Sequence, residues 1–202
     1  MADLKHPSDV AFTPAVKAFQ SARGSRAGYA RMEERGGWRT ELDASIAAFI
    51  ATQRSFFLAT ANAAGQPYIQ HRGGPPGFLR VLDPKTLAFA DFKGNRQYIS
   101  IGNLSENPKV HLFLIDYATQ SRVKIWGDAR VVDDPTLARS LSPQAYEGEP
   151  ERVISINVNA WDANCPQHIP QRLEAEDVAR ALAERDDKIA ALEAQLRSRM
   201  RG

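Results

Sequence analysis

Phe56-Phe57-Leu58-Ala59-Thr60-Ala61-Asn62-Ala63-Ala64-Gly65-Gln66-Pro67-Tyr68-Ile69-Gln70-His71-Arg72 is the stretch on which the fold turns. Two aromatic and aliphatic runs flank an Asn-Ala-Ala-Gly segment of turn-forming composition, which predicts antiparallel strands over 56–61 and 67–72. Five further runs of the same character predict strands at 78–82, 86–90, 109–116, 122–132 and 153–161. Asp83-Pro84-Lys85 supplies another turn, because the proline ring fixes the φ that a turn needs at its second position. Short strands with this punctuation make a mainly β protein, with an antiparallel sheet shaped as a small barrel.

Helices are predicted around that body. Leu42, Ile46, Phe49 and Ile50 fall at helical spacing within 41–52, with Thr40 and Asp43 available to cap the start. Residues 94–105 read as a loop running into a short helix that Asn107-Pro108 ends, and 135–141 as a helix started by Asp133-Asp134. Residues 1–40 carry seven basic and four acidic side chains, an arm or helical extension that either clamps a phosphate or partner, or covers hydrophobic surface of the core. Residues 173–202 form a long amphipathic helix in which Leu182, Ile189 and Leu196 are seven apart, while Arg185 interrupts the seam of a strict coiled coil. That helix is either a dimerisation arm or a cover for its own barrel. The expected domains are thus 1–40, a barrel over 41–172, and 173–202.

The 202 residues include 26 Lys and Arg against 24 Asp and Glu, a net charge of +2 that makes no electrostatic case for nucleic acid or an anionic membrane. The single cysteine, Cys165, excludes an internal disulfide, and one Cys with four scattered His makes no zinc cluster. Charged residues in 1–6 stand where a secretory leader needs an apolar run, so a cytoplasmic location is expected. The polar residues and proline within 55–70 rule that stretch out as a membrane span. No Ser-His-Asp set or catalytic carboxylate pair stands out, which leaves hydrolysis unsupported.

Three segments carry more chemistry than a fold requires. Gln70-His71-Arg72-Gly73-Gly74-Pro75-Pro76-Gly77-Phe78 runs from a strand into glycines whose backbone can approach a flat ligand, or is a wide hairpin loop whose glycines and prolines simply turn the chain. Asp91-Phe92-Lys93-Gly94-Asn95-Arg96-Gln97-Tyr98-Ile99-Ser100 places two cations and a hydroxyl around a Gly-Asn turn at a helix start, where free N–H groups suit a phosphate; a cationic surface turn is the plainer reading. The segment 161–172 gathers Trp161, Cys165, Gln167, His168 and Arg172, a composition fit to line a pocket.

Gly65-Gln66-Pro67-Tyr68, Gly94-Asn95-Arg96 and Asn103-Leu104-Ser105-Glu106-Asn107-Pro108-Lys109-Val110 together resemble the pyridoxamine 5′-phosphate oxidase-like family of split-barrel flavin proteins. His71 to Gly74, Gly77 to Arg80 and Asn164 to Ile169 are similar to motifs of an FMN-binding branch. The resemblance implies a six-stranded split barrel, a homodimer, and FMN in clefts between subunits. It implies that Gln70, His71, Arg72, Gly73 and Gly74 run beside the flavin ring. Lys93, Asn95, Arg96 and Ser100 would then lie toward the phosphate, and Gln167 and His168 would complete the pocket on the substrate side. The vitamin B6 oxidase itself has an Arg-Lys pair entering the equivalent helix, where this chain has Ile99 and Ser100, and a C-terminal Arg and His motif that is absent here. A branch other than that enzyme is expected, acting as an FMN-dependent oxidoreductase on a small molecule. The alternatives are a flavin-binding protein without turnover, or a barrel that uses haem or a deazaflavin. His71, His111 and His168 are the haem-ligand candidates.

Overall fold

Alternation along the chain sets the sheet: Phe56, Leu58 and Thr60 are buried while Phe57 and Ala59 between them are not. The computed structural model describes residues 4–144, 146–164 and 166–200. Among the described residues there are seven strands: β1 (Ser55–Ala61), β2 (Pro67–Gly73), β3 (Arg80–Asp83), β4 (Thr86–Phe92), β5 (Lys109–Asp116), β6 (Ser121–Val132) and β7 (Pro150–Asn164). The helices are α1 (Pro14–Ala22), α2 (Arg26–Glu34), α3 (Ala44–Thr52), α4 (Ile99–Glu106), α5 (Pro135–Leu141) and α6 (Ala175–Arg199). All seven strand segments expected from the sequence form. The count of six that the resemblance implied is corrected to seven, because the four-residue β3 pairs with β4 as an edge hairpin.

The strands form one sheet in the order β2-β1-β5-β6-β7-β4-β3. β1 and β4 stand four places apart in that order, about 19 Å if the sheet were flat. Yet the Phe56 and Phe89 ring centroids are 5.3 Å apart, edge to face. The sheet is therefore rolled, and its core is filled by Phe56, Leu58, Phe78, Leu87, Phe89, Leu112, Leu114, Ile125, Ile154 and Ile156. An ion pair draws the same two ends together: Arg72 Nη1 on β2 donates to Asp91 Oδ1 on β4 at 2.5 Å, with both side chains largely shielded from water. A register shift at Trp126/Gly127 bends β6 against β7. A side chain at Gly127 would meet Asn157 O at 2.6 Å, so the bend requires glycine.

Two helix starts are capped as expected. Asp43 accepts from the N–H of Ser45 and Ile46 ahead of α3, and Asp134 from Thr136 and Leu137 ahead of α5. The N-terminal arm covers hydrophobic surface: Trp38 stacks on Trp126 of β6 with centroids 4.5 Å apart, and Phe12 packs on Trp38. Trp161 Nε1 donates to Glu41 O at 2.8 Å. Within the arm, Lys17 bonds Asp9 at 2.5 Å, and buried Glu33 accepts from Ser8 and Arg26.

The chain divides into two compact units. The first comprises the described residues through Ile115 together with those from Arg122 into β7; the second comprises Asp116–Ser121 and the described residues from Pro166 onward. In the second, Arg172 N–H donates to Tyr117 O, and the Arg172 guanidinium lies over the Tyr117 ring. Among the described residues no helix is long and apolar enough to cross a membrane.

Two predictions follow from the packing. Asp91→Ala strands a shielded guanidinium and lowers stability by about 3–5 kcal/mol in urea unfolding, whereas the Arg72→Met/Asp91→Leu pair recovers most of that loss. Burial, and secondarily the charge of Lys124, lowers the pKa of His111 below its ordinary value. The unfolded chain therefore takes up a proton there first: His111's contribution is full above a pH of about 6.5 and is lost as pH falls toward the lowered folded value. His111→Phe is expected to flatten that part of the stability–pH curve.

Candidate functional site

Beside the Arg72–Asp91 pair the rolled sheet leaves a groove of about 230 Å³. Tyr68, Gln70 and Arg72 of β2 form one wall, Asp91 and Phe92 of β4 with Glu151 of β7 another, and Gly94 to Ile101 the third. Alternation explains the first wall. Tyr68, Gln70 and Arg72 pair with Thr60, Leu58 and Phe56, whose side chains point into the barrel, so they share the inward face.

The third wall is a turn leading into a helix. Asn95 Oδ1 accepts from Gln97 N–H at 3.2 Å, and Arg96 and Tyr98 both adopt left-handed backbone, with φ of 61° and 53°. Such conformations cost non-glycine residues about 1–2 kcal/mol each, so the remaining structure holds the turn in place. Tyr98 precedes α4 with no side-chain cap on the helix start, and the first helical bond there runs from Gly102 N–H to Tyr98 O. The N–H groups of Ile99, Ser100 and Ile101, all groove residues, thus gain no partner from the helix ladder. α4 itself is pinned: buried Asn103 Nδ2 donates to Thr60 Oγ1 at 2.9 Å, and Ser100 Oγ donates to Gln70 Oε1 at 2.8 Å.

Charge in the groove is partly balanced. Asp91 is 7% exposed and engages one nitrogen of Arg72, while the buried Arg72 Nε has no hydrogen-bond partner among the described residues. Arg152, beside the groove, lies over the Tyr98 ring at 5.4 Å and bonds Glu151 at 3.0 Å. Arg96 is exposed.

Of the site residues expected from the sequence, Gln70, Arg72, Asn95, Arg96 and Ser100 come together here. His71 does not. It faces the opposite side of β2, where its ring meets Phe57 edge on at 5.7 Å. Lys93 bonds Glu149 at 2.7 Å, a contact that holds the Glu149 carboxyl below its usual pKa, and it does not line the groove. Gly73 and Gly74 lie outside the lining as well. The space a side chain would need at Gly74 is taken by Phe78 at 2.8 Å, and at Gly73 by His71 at 3.0 Å. Gln167 and His168 are exposed residues of the second unit, with His168 at a φ of 66°. Cys165 lies outside the described residues. Among the described residues no group of three or more His, Cys, Asp or Glu could hold a metal ion.

Sequence reasoning assigned no role to Tyr68, Asp91, Tyr98 or Glu151, although Asp91 and Tyr98 lie within the 91–100 stretch it singled out. Tyr68 was legible from the period of two through Gln70 and Arg72. Glu151 had no local signal.

The fold has known counterparts. HupZ from Group A Streptococcus is 19% identical, with the match covering 65% of this chain and 99% of that one, at a TM-score of 0.50. An FMN-binding protein from Syntrophomonas wolfei subsp. wolfei is 12% identical, over 72% of this chain and 97% of its own, at a TM-score of 0.50. At these identities the likeness is one of fold. A search of curated protein sequences found no match. The family model described as pyridoxamine 5′-phosphate oxidase matches residues 42–165. That span runs from the start of α3 to the end of β7 and includes every wall of the groove; this chain belongs to the pyridoxamine 5′-phosphate oxidase family.

Proposed function

We propose that this chain is an FMN-dependent oxidoreductase that binds flavin in the β2–α4 groove of a homodimer and passes electrons between a small-molecule donor and an acceptor such as O2. The observation that carries the reading is the uncapped start of α4, with Ser100 and Arg96 beside it, opening on the same groove as a buried Arg72 Nε without a partner. Free N–H groups at a helix start and a nearby guanidinium are what a phosphate monoester requires. Gln70 and Arg72, one wall further along, are donors for the polar edge of a planar ring. These residues fit FMN, and a family fold shared with an FMN-binding protein supports the same cofactor.

When bound, the flavin supplies reversible electron and hydride transfer. The chain binds and orients it. Ser100 fixes the Gln70 amide by donating to its oxygen, which leaves the Gln70 NH2 free to donate into the groove. Asp91 balances the Arg72 charge, so Arg72 acts chiefly as an oriented donor rather than as an uncompensated cation. Gln167 and His168 are proposed for the substrate side, and His71, Gly73, Gly74 and Lys93 for supporting roles around the groove. The cytoplasm, with its reduced thiols, is the proposed location for a chain with one cysteine.

The dimer reading rests on the outer face of the sheet. Ile69–Ala59–His111 and His71–Phe57–Phe113 form two adjacent cross-strand rows over β2, β1 and β5, and Ile69 is 63% exposed. Such a face invites a second copy related by a twofold axis. The groove volume of about 230 Å³ also falls short of the roughly 300–1,000 Å³ of small-molecule sites, as expected of a half-site.

Purified protein mixed with FMN and freed of unbound ligand should retain flavin bands near roughly 370 and 450 nm; an empty spectrum overturns the cofactor. Arg96→Ala should weaken FMN binding about tenfold while leaving riboflavin binding nearly unchanged, since only FMN carries the phosphate. Equal losses for both ligands would remove Arg96 from the phosphate subsite. With α6 removed by ending the chain at Arg172, light scattering should show a dimer, and Phe113→Glu in that chain should give a monomer.

A further inference from the structure

α6 runs for 25 residues and buries none of them. Its apolar side chains are nevertheless ordered along one stripe. Val178, Leu182, Ile189, Leu192 and Leu196 are spaced four, seven, three and four apart, which is the a/d seam of a heptad repeat with Leu182, Ile189 and Leu196 at a and Val178 and Leu192 at d. They are 39%, 52%, 54%, 50% and 60% exposed. A solitary helix gains little from such a stripe, because helical stability in proteins comes chiefly from covering the apolar face.

The charges on either side of the seam identify what covers it. In a parallel, in-register pair each g residue faces the e residue five positions later on the other helix. Lys188 at g then meets Glu193 at e, an attraction formed twice by symmetry. Glu193 also accepts from Arg197 on its own helix at 3.4 Å, which leaves it a bridge between two cations. Arg185, the one residue that breaks the apolar seam at its interior, occupies d and faces Arg185 of the other helix, with Asp186 at e flanking it from each side, so the layer holds two cations and two carboxylates and carries no net charge. The antiparallel arrangement places e against e instead, bringing the acidic Asp186 and Glu193 of the two helices together, and sets Arg185 against an apolar a residue.

We propose that α6 is a docking surface for a second copy of itself, forming a parallel two-stranded coiled coil of about three and a half heptads in which the Arg185–Asp186 layer sets register and the Lys188–Glu193 pairs set direction. A single charged layer of this kind lowers stability but excludes registers that would leave the arginine in an apolar layer. The inference is independent of the flavin reading, since it uses no groove residue.

The test uses the full chain with Cys165→Ser as background. Val178→Cys and Leu192→Cys are introduced separately and oxidised gently. A disulfide needs Cα atoms about 4.4–6.8 Å apart, so like residues at d link across a parallel, in-register pair. Ala194→Cys, at the outward f position, is the control. The expected result is about tenfold more linked dimer at both 178 and 192 than at 194, the latter pair being held too far apart. Linking at only one of the two d positions indicates an antiparallel crossing and overturns the proposal, as does linking at 194 equal to that at 192. The same measurement in the Phe113→Glu background should be unchanged. Loss of linking there would show that α6 merely follows the barrel face, and would also overturn it. Because FMN retention is read separately by absorbance, failure of the coiled coil and failure of the flavin reading are distinguishable.

Discussion

The contact between Arg72 on β2 and Asp91 on β4 closes the molecule. These strands are five places apart in a seven-stranded sheet, so the ion pair can form only if the sheet rolls. A shielded pair of this kind adds little net stability over a packed apolar substitute, because each ion is removed from water. Its effect is positional. It fixes the two ends of the sheet at the mouth of a groove and sets a buried, only partly satisfied guanidinium there. The energy of closure comes from the ring packing of Phe56, Phe78 and Phe89 behind it.

The groove's remaining parts depend on that closure. α4 has no side-chain cap, and its start faces the groove because Asn103 ties the helix to Thr60 and Ser100 ties it to Gln70. The turn before it holds two non-glycine residues in left-handed backbone, a strain that persists only where its surroundings over-determine it. Rolled sheet, pinned helix and strained turn together aim donors from three elements at one volume.

Much of the fold was legible in the sequence. The seven strand segments, the caps at Asp43 and Asp134, and the helix over 135–141 follow from patterns of period two, period 3.6 and turn composition. The site was legible only in part. Gln70-His71-Arg72 read as one motif, yet a strand sends neighbours to opposite faces, so His71 went to the Phe57 side while Gln70 and Arg72 went to the groove. Lys93 read as a phosphate ligand on the strength of its charge, and its partner Glu149, 56 positions away, could not be seen along the chain. Gly73 and Gly74 read as backbone that a flat ligand can approach; a side chain at either position would run into His71 or Phe78.

The sequence by itself determined the strands and the helices from residue 41 onward, the family motifs and the existence of a cationic turn before a helix, because these are set by neighbours within a few residues; α1 and α2 it left as an undivided extension. It also determined the heptad stripe on α6, which is a matter of spacing alone. Only the tertiary structure decided which charges are spent on one another and which remain open. Pairing of Arg72 with Asp91 and of Lys93 with Glu149 is a property of distances between strands and loops far apart in the chain. Those distances come from the roll of the sheet, which is a collective result of packing seven strands around one core, and no local pattern encodes it.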